Sequence, residues 1–277
     1  MSRSESSTLA PYRWRAGGDP DNGTVSFQRY VAIGDSFTEG VGDPDPTRPN
    51  GLRGWADRVA EVLGRGEPSF GYANLAIRGR KLDPILDEQL APAVALEPDL
   101  VTVYAGANDI LRPKVDIDGL VERYDAALDR LAATGARLVV FTAFDPGGSA
   151  IYRPLRGRFA LYNELVRTSA RTHGATVVDF WTMREYRDWR YWDADRMHLG
   201  PAGHQRMAIE VLDTLGVPHD LQPLPLTDRP PLTRAEQRQE NIAWVRGMAI
   251  PWVHRRLTGR SSGDGLDPKR PALAPID

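Results

Sequence analysis

Five short apolar runs alternate with amphipathic stretches through the middle of this chain, and that alternation constrains the fold more than any other feature. The runs are RYVAIG (29–34), FGYANLA (70–76), DLVTVYAG (99–106), ARLVVFTAF (136–144) and ATVVDFW (175–181). Residues 51–65, 82–96, 117–134, 156–173 and 201–216 instead repeat apolar side chains at helical spacing. Short, nearly continuous apolar strands separated by helices predict a parallel sheet covered on both faces. A sheet of that kind gathers its functional residues in loops just beyond the carboxyl ends of its strands.

The remaining segments divide the chain. Residues 1–27 are polar and rich in Gly and Pro and are expected to form a loose extension to a catalytic-size domain over 28–216. Residues 217–277 begin as a proline-rich connector. A helical arm over 233–260 follows, opened by Thr233 and Glu236 at capping-box spacing and interrupted at Pro251. From Ser261 onward the sequence predicts irregular chain. The arm carries Ile242, Trp244, Val245, Met248, Ile250, Trp252 and Val253, more apolar surface than water tolerates. Packing on the same domain, near the rim of the functional site, is the expected outlet. Membrane association through Arg246, Arg255, Arg256 and Arg260, or pairing with a second subunit, are the alternatives.

Charge and cysteine content narrow the function classes. With 35 basic and 37 acidic side chains the net charge is −2, and no basic stripe suggests a nucleic-acid partner. The absence of cysteine removes disulfides, thiolate nucleophiles and Cys-ligated zinc. No run is long enough to cross a bilayer, and the first residues lack a secretory apolar stretch, so a cytoplasmic protein is expected.

Four loops after predicted strands hold the chemistry. GDSFTEG (34–40) places Ser36 at a strand-to-helix turn, where it reads either as a helix cap or as an exposed nucleophile whose own N–H faces a developing oxyanion. Gly79 in NLAIRG reads as a turn glycine or as a close backbone donor, and Asn108 in GAND as a turn residue or an amide donor. In DADRMH, Asp195 and His198 are three residues apart; on a helical turn both would face one side, the aspartate orienting an imidazole that takes a serine proton.

In that order the four motifs resemble those of the SGNH (GDSL-type) hydrolases. Ser36, Gly79, Asn108 and His198 fall on the four letters, and Asp195 on the family's aspartate three residues before its histidine. The resemblance spans residues 29 to about 215. It implies a flavodoxin-like three-layer α/β/α sandwich with strand order 2-1-3-4-5 and a five-stranded parallel sheet. It also implies hydrolysis of esters or thioesters through an acyl-enzyme. Ser36, Asp195 and His198 would be catalytic, with Ser36, Gly79 and Asn108 forming the oxyanion hole. Two departures stand out: Phe37 replaces the family's leucine, and the proline after the histidine sits at Pro201. No metal or cofactor is implied, and a small-molecule ester is the expected partner. A catalytically silent or small-molecule-binding module of the same fold is the competing class. A metal site joining His204 to Asp193, Asp195 and His198 lacks standard zinc spacing. The aromatic run Trp181, Tyr186, Trp189, Tyr191 and Trp192 either lines the substrate pocket or packs into the core.

Overall fold

Each strand places alternate residues on opposite faces, and here both faces are apolar, so the sheet must be covered twice. A computed structural model describes residues 26–149, 152–228, 233–250 and 261–276. The expected extension before residue 26 and the kink at Pro251 lie outside the described residues. Five strands run in parallel, β1 (Arg29–Gly34), β2 (Gly71–Asn74), β3 (Leu100–Tyr104), β4 (Arg137–Phe141) and β5 (Thr176–Val178), in the order 2-1-3-4-5.

One face carries Tyr30, Ala32, Tyr72, Leu100, Val139 and Phe141, packed under α2 (Gly54–Leu63) and α8 (Pro201–Leu215) through Trp55, Val59, Met207 and Val211. The other carries Val31, Ile33, Ala73, Val101, Val103, Leu138 and Val140. It packs against α6 (Ile117–Ala132) and α7 (Arg156–Thr172), and against the helical stretch 82–95. That stretch is α3 (Leu82–Ile85), a π turn (Leu86–Leu90) and α4 (Ala91–Ala95). The arrangement is the expected three-layer sandwich.

Two expectations change. The sheet has six strands, not five, and it is mixed: β6 (Arg270–Ala274) pairs antiparallel with the outer edge of β2. The stretch after Ser261 is therefore not irregular throughout. Its side chains show little apolar patterning, because the strand is held by an existing edge and by what precedes it. Lys269 enters fully buried, its Nζ 2.8 Å from Asp57 Oδ1 and donating to the Arg53 carbonyl at 2.7 Å. Tyr72 also donates its hydroxyl to Asp57 Oδ1, at 2.9 Å.

The arm helix begins where its capping box predicts, as α9 (Arg234–Trp244), with Thr233 and Glu236 bonded reciprocally, and it continues through a π turn (Val245–Ala249). Among the described residues, no helix is long and apolar enough to cross a membrane.

Candidate active site

The turn that carries Ser36 is built from its glycine outward. Gly34 ends β1 at φ 153°, and a Cβ there would stand 2.6 Å from both Thr38 Oγ1 and the Tyr104 carbonyl. Its own N–H and carbonyl are both taken by the amide of Gln89, at 2.8 and 2.9 Å. The chain then turns into the single-turn helix α1 (Ser36–Glu39), capped by Asp35, whose Oδ1 accepts from Phe37 N at 3.0 Å. Ser36 thus opens the helix at the carboxyl edge of the central strand.

The fold joins Ser36 and His198 across 162 sequence positions: His198 Nε2 lies 3.0 Å from Ser36 Oγ, and His198 Nδ1 lies 2.5 Å from Asp195 Oδ2. Asp195 and His198 do not sit on a helical turn. They occupy an irregular turn pinned by the Trp192–Leu199 bridge and by Asp193 N donating to the His198 carbonyl at 2.8 Å. Arg196 takes φ 58°, the left-handed region, so that Asp195 Oδ1 can accept from Met197 N at 2.9 Å and His198 N at 3.0 Å. Burial alone would raise the Asp195 carboxyl. The hydrogen bond and charge of His198, with these two N–H groups, outweigh it and hold the group below its ordinary value.

Asn108, in the short helix α5 (Ala107–Ile110), spends both amide hydrogens: one on Asp35 Oδ2 at 2.9 Å, one on the Arg80 carbonyl at 3.0 Å. Its two acceptors are the chain neighbours of Ser36 and Gly79. Gly79 has φ 76°, and among the described residues neither its N–H nor that of Ser36 meets an acceptor. Burial pushes the Asp35 carboxyl up to about 7, against the N–H of Phe37 and the charge of His198.

Ser36, Asn108 and His198 share the wall of an apolar cavity of about 90 Å³; Gly79 and Asp195 do not line it. Seven of the fifteen residues of that wall are aromatic: Phe37, Tyr104, Phe144, Tyr152, Phe159, Phe180 and Trp192. Of the aromatic run noted in the sequence, only Trp192 reaches the cavity. Tyr186 packs into the core, Trp181 is stacked by Arg156, and Trp189 is exposed. The wall residues that the sequence did not single out end β3 (Tyr104), follow β4 (Phe144, Tyr152) and β5 (Phe180), or lie in α7 (Phe159). Phe144, just past strand four, was within reach of the strand-end rule; nothing in the sequence singles out Tyr152, Phe159 or the bracing Gln89.

His204 is no ligand in waiting. Its Nδ1 accepts from Trp55 N at 3.1 Å and its Nε2 donates to the Val41 carbonyl at 3.1 Å, tying α8 to α2 and to the loop after Ser36. Burial holds its pKa down to about 4, so it is neutral. The acidic residues around Ser36 are likewise mostly buried and paired, Glu39 with Arg78 and Asp43 with Arg58.

No curated relative matches the sequence. Among solved structures, an alpha/beta hydrolase from the metagenome of Lake Arreo is 22% identical over 69% of this chain and 96% of its own, with a TM-score of 0.57. An acetylxylan esterase from Geobacillus stearothermophilus is 21% identical over 70% and 96%, with a TM-score of 0.56. A psychrotrophic esterase from Pseudoalteromonas sp. is 16% identical over 68% and 96%, at 0.52. At these identities the likeness is one of fold. The model of the GDSL-like lipase/acylhydrolase family matches residues 32–206, a segment that begins within β1 and contains Ser36, Asn108, Asp195 and His198. By that match the chain belongs to the GDSL-like lipase/acylhydrolase family and is a carboxylic ester hydrolase.

Proposed function

We propose that the protein cleaves esters of short-chain acids by a serine acyl-enzyme mechanism. The carrying observation is the continuous hydrogen-bonded path from Ser36 Oγ through His198 to Asp195, with Ser36 and His198 opening on the small apolar cavity. Ser36 Oγ attacks the ester carbonyl while His198 Nε2 takes its proton, and Asp195 stabilises the imidazolium. The tetrahedral oxyanion is held by the N–H groups of Ser36 and Gly79, whose lack of acceptors supports that role. Asn108 contributes by exchanging one of its two bonds for the oxyanion, or by holding the neighbours of both donors in place. The imidazolium protonates the departing alcohol, and the same histidine then activates the water that releases the acid. A thiol could leave by the same route.

The cavity's size and aromatic wall support a short acyl group, so aryl acetates and butyrates should be cleaved in preference to octanoates. Ser36→Ala and His198→Ala should each lower turnover of an aryl acetate by about three or more orders of magnitude. A fluorophosphonate should label the wild type and spare Ser36→Ala. A folded Ser36→Ala protein hydrolysing at near wild-type rate would remove the mechanism.

A further inference from the structure

The family match ends at residue 206, yet the described C-terminal arm touches the acid of the triad. Trp244, the last residue of α9, donates its indole N–H to the Asp195 carbonyl oxygen at 2.9 Å. One residue on, the Arg196 guanidinium lies over the Trp244 ring, 5.3 Å from its centroid, and donates to Asn241 Oδ1 at 2.7 Å. We propose that Trp244 is a positioning residue for the catalytic acid, fixing the turn from which the Asp195 carboxylate reaches His198; this rests on the triad reading above.

The carbonyl that Trp244 grips belongs to the peptide plane joining Asp195 to Arg196. Its orientation sets ψ of the acid and φ of Arg196 together. Arg196 is the turn's left-handed residue, a conformation that a residue bearing a Cβ adopts only when its surroundings hold it there. Within the turn, the hydrogen bond from Arg196 N to the Asp193 carbonyl, at 2.9 Å, supports that conformation from one side. From the other side the support comes from α9: an N–H on the carbonyl, a ring under the guanidinium and an amide at its end. The carboxylate cannot rotate independently of this plane, because Oδ1 is already committed to the two N–H groups that follow it. A tilt of the peptide would therefore re-aim Oδ2 away from His198 Nδ1, and misplacements of that order are costly to a proton-transfer geometry.

The arm is anchored independently of α9. Ser261 and Gly263 pack on the Arg78 carbonyl and Gly79, Asp264 pairs with Arg80 at 3.2 Å, and Lys269 is buried against Asp57. Truncation would remove these anchors along with α9, so point variants are the informative test.

Trp244 also lines a groove of about 360 Å³ with Trp189, Trp192, Asp193, Arg196 and Glu240, and Trp192 is a wall of the Ser36 cavity as well. A substrate contact and a positioning role therefore predict different kinetics. Trp244→Phe keeps an aromatic ring, though a smaller one, for Arg196 and deletes the N–H donor. With a soluble aryl acetate, and with active sites counted by fluorophosphonate titration, positioning predicts a kcat about tenfold lower and an unchanged KM. Trp244→Ala should lose more. Ile242→Ala, on an exposed part of the same helix, should behave as wild type.

A second readout does not depend on turnover. The Nδ1 proton shared by His198 and Asp195, observed by proton NMR in its far-downfield window, should broaden or disappear in Trp244→Phe while the melting temperature holds. An unchanged kcat and an unchanged downfield proton overturn the proposal. So does a rise in KM at constant kcat, which would make Trp244 a substrate contact, or a kcat loss matched by a loss of thermal stability. An inactive wild type that still shows the downfield proton, and loses it in Trp244→Phe, would sink the hydrolase mechanism and leave the positioning role standing.

Discussion

Two carboxylates in this molecule each face a nitrogen cation or its precursor, and they are used in opposite ways. Asp195 and His198 keep 18% and 21% of their side chains exposed and stand beside a cavity, next to a hydroxyl. Asp57 and Lys269 are fully enclosed between α2, β2 and the approach to β6, and have no access to anything that reacts. In the proposed mechanism the first pair exchanges a proton with the substrate. The second can only hold chain segments together, because moving either charge out of balance leaves the other unsolvated. Geometry alone does not separate them, since both are short and both have further hydrogen bonds. Access to solvent and to Ser36 does.

The sharpest way to test this contrast is to break each pair by one atom's worth of chemistry. Asp195→Asn should cost about three to four orders of magnitude in kcat, since the wrong histidine tautomer is then favoured, with little change in melting temperature. Lys269→Met should do the reverse and lower unfolding free energy by about 3–5 kcal/mol, leaving the specific activity of the folded fraction intact. Adding Asp57→Asn to Lys269→Met should restore at least half of that loss in urea titrations. A Lys269→Met protein of unchanged stability would mean that the enclosed pair does not hold β6.

Asn108 sits between the two extremes: its amide is spent on structural bonds, and the acceptors of those bonds adjoin Ser36 and Gly79, the proposed oxyanion donors. Asn108→Ala should lower kcat by about a hundredfold with little change in KM, whether the amide meets the oxyanion or holds its backbone donors. A rise in KM alone would make it a binding residue.

The smallest expected effect is in pH dependence, and it has a definite sign. Asp35, raised to about 7 by burial, binds an extra proton in the folded state from about pH 4 to about pH 7, so its contribution to stability is lost as pH rises through that window. His204, lowered to about 4 by burial, leaves the extra proton on the unfolded state below about pH 6.5, so its contribution is lost as pH falls. The two oppose each other. Relative to wild type, Asp35→Asn should make stability climb more steeply with pH between 4.5 and 6.5, by at most about 1.4 kcal/mol per pH unit, and His204→Gln should tilt it the other way. Parallel curves for all three proteins would show that neither group is perturbed by its burial.

Much of the hydrolase core was legible because its information is local. The five parallel strands, the helices between them and the helix start at Thr233 follow from side-chain period and capping chemistry, and the observed elements differ from the expected spans mainly by a few residues at their ends. Ser36, Asn108, Asp195 and His198 were visible because each follows a strand, and a parallel sheet brings strand ends to one edge. What chain order could not reveal depends on partners distant in sequence. RPALA reads as a strand only because β2 offers an unpaired edge, and Lys269 stays buried only because Asp57 awaits it. The Asp195 turn is left-handed at Arg196 rather than helical because α9 grips it from 49 residues away. The cavity wall is assembled from separate elements, so a sequence-local aromatic cluster supplied only Trp192. Periodicity and spacing thus determined which layers form and which polar residues meet at the sheet edge. Tertiary structure decided how those residues are aimed and what walls them in, because both depend on contacts between segments that share no local signal.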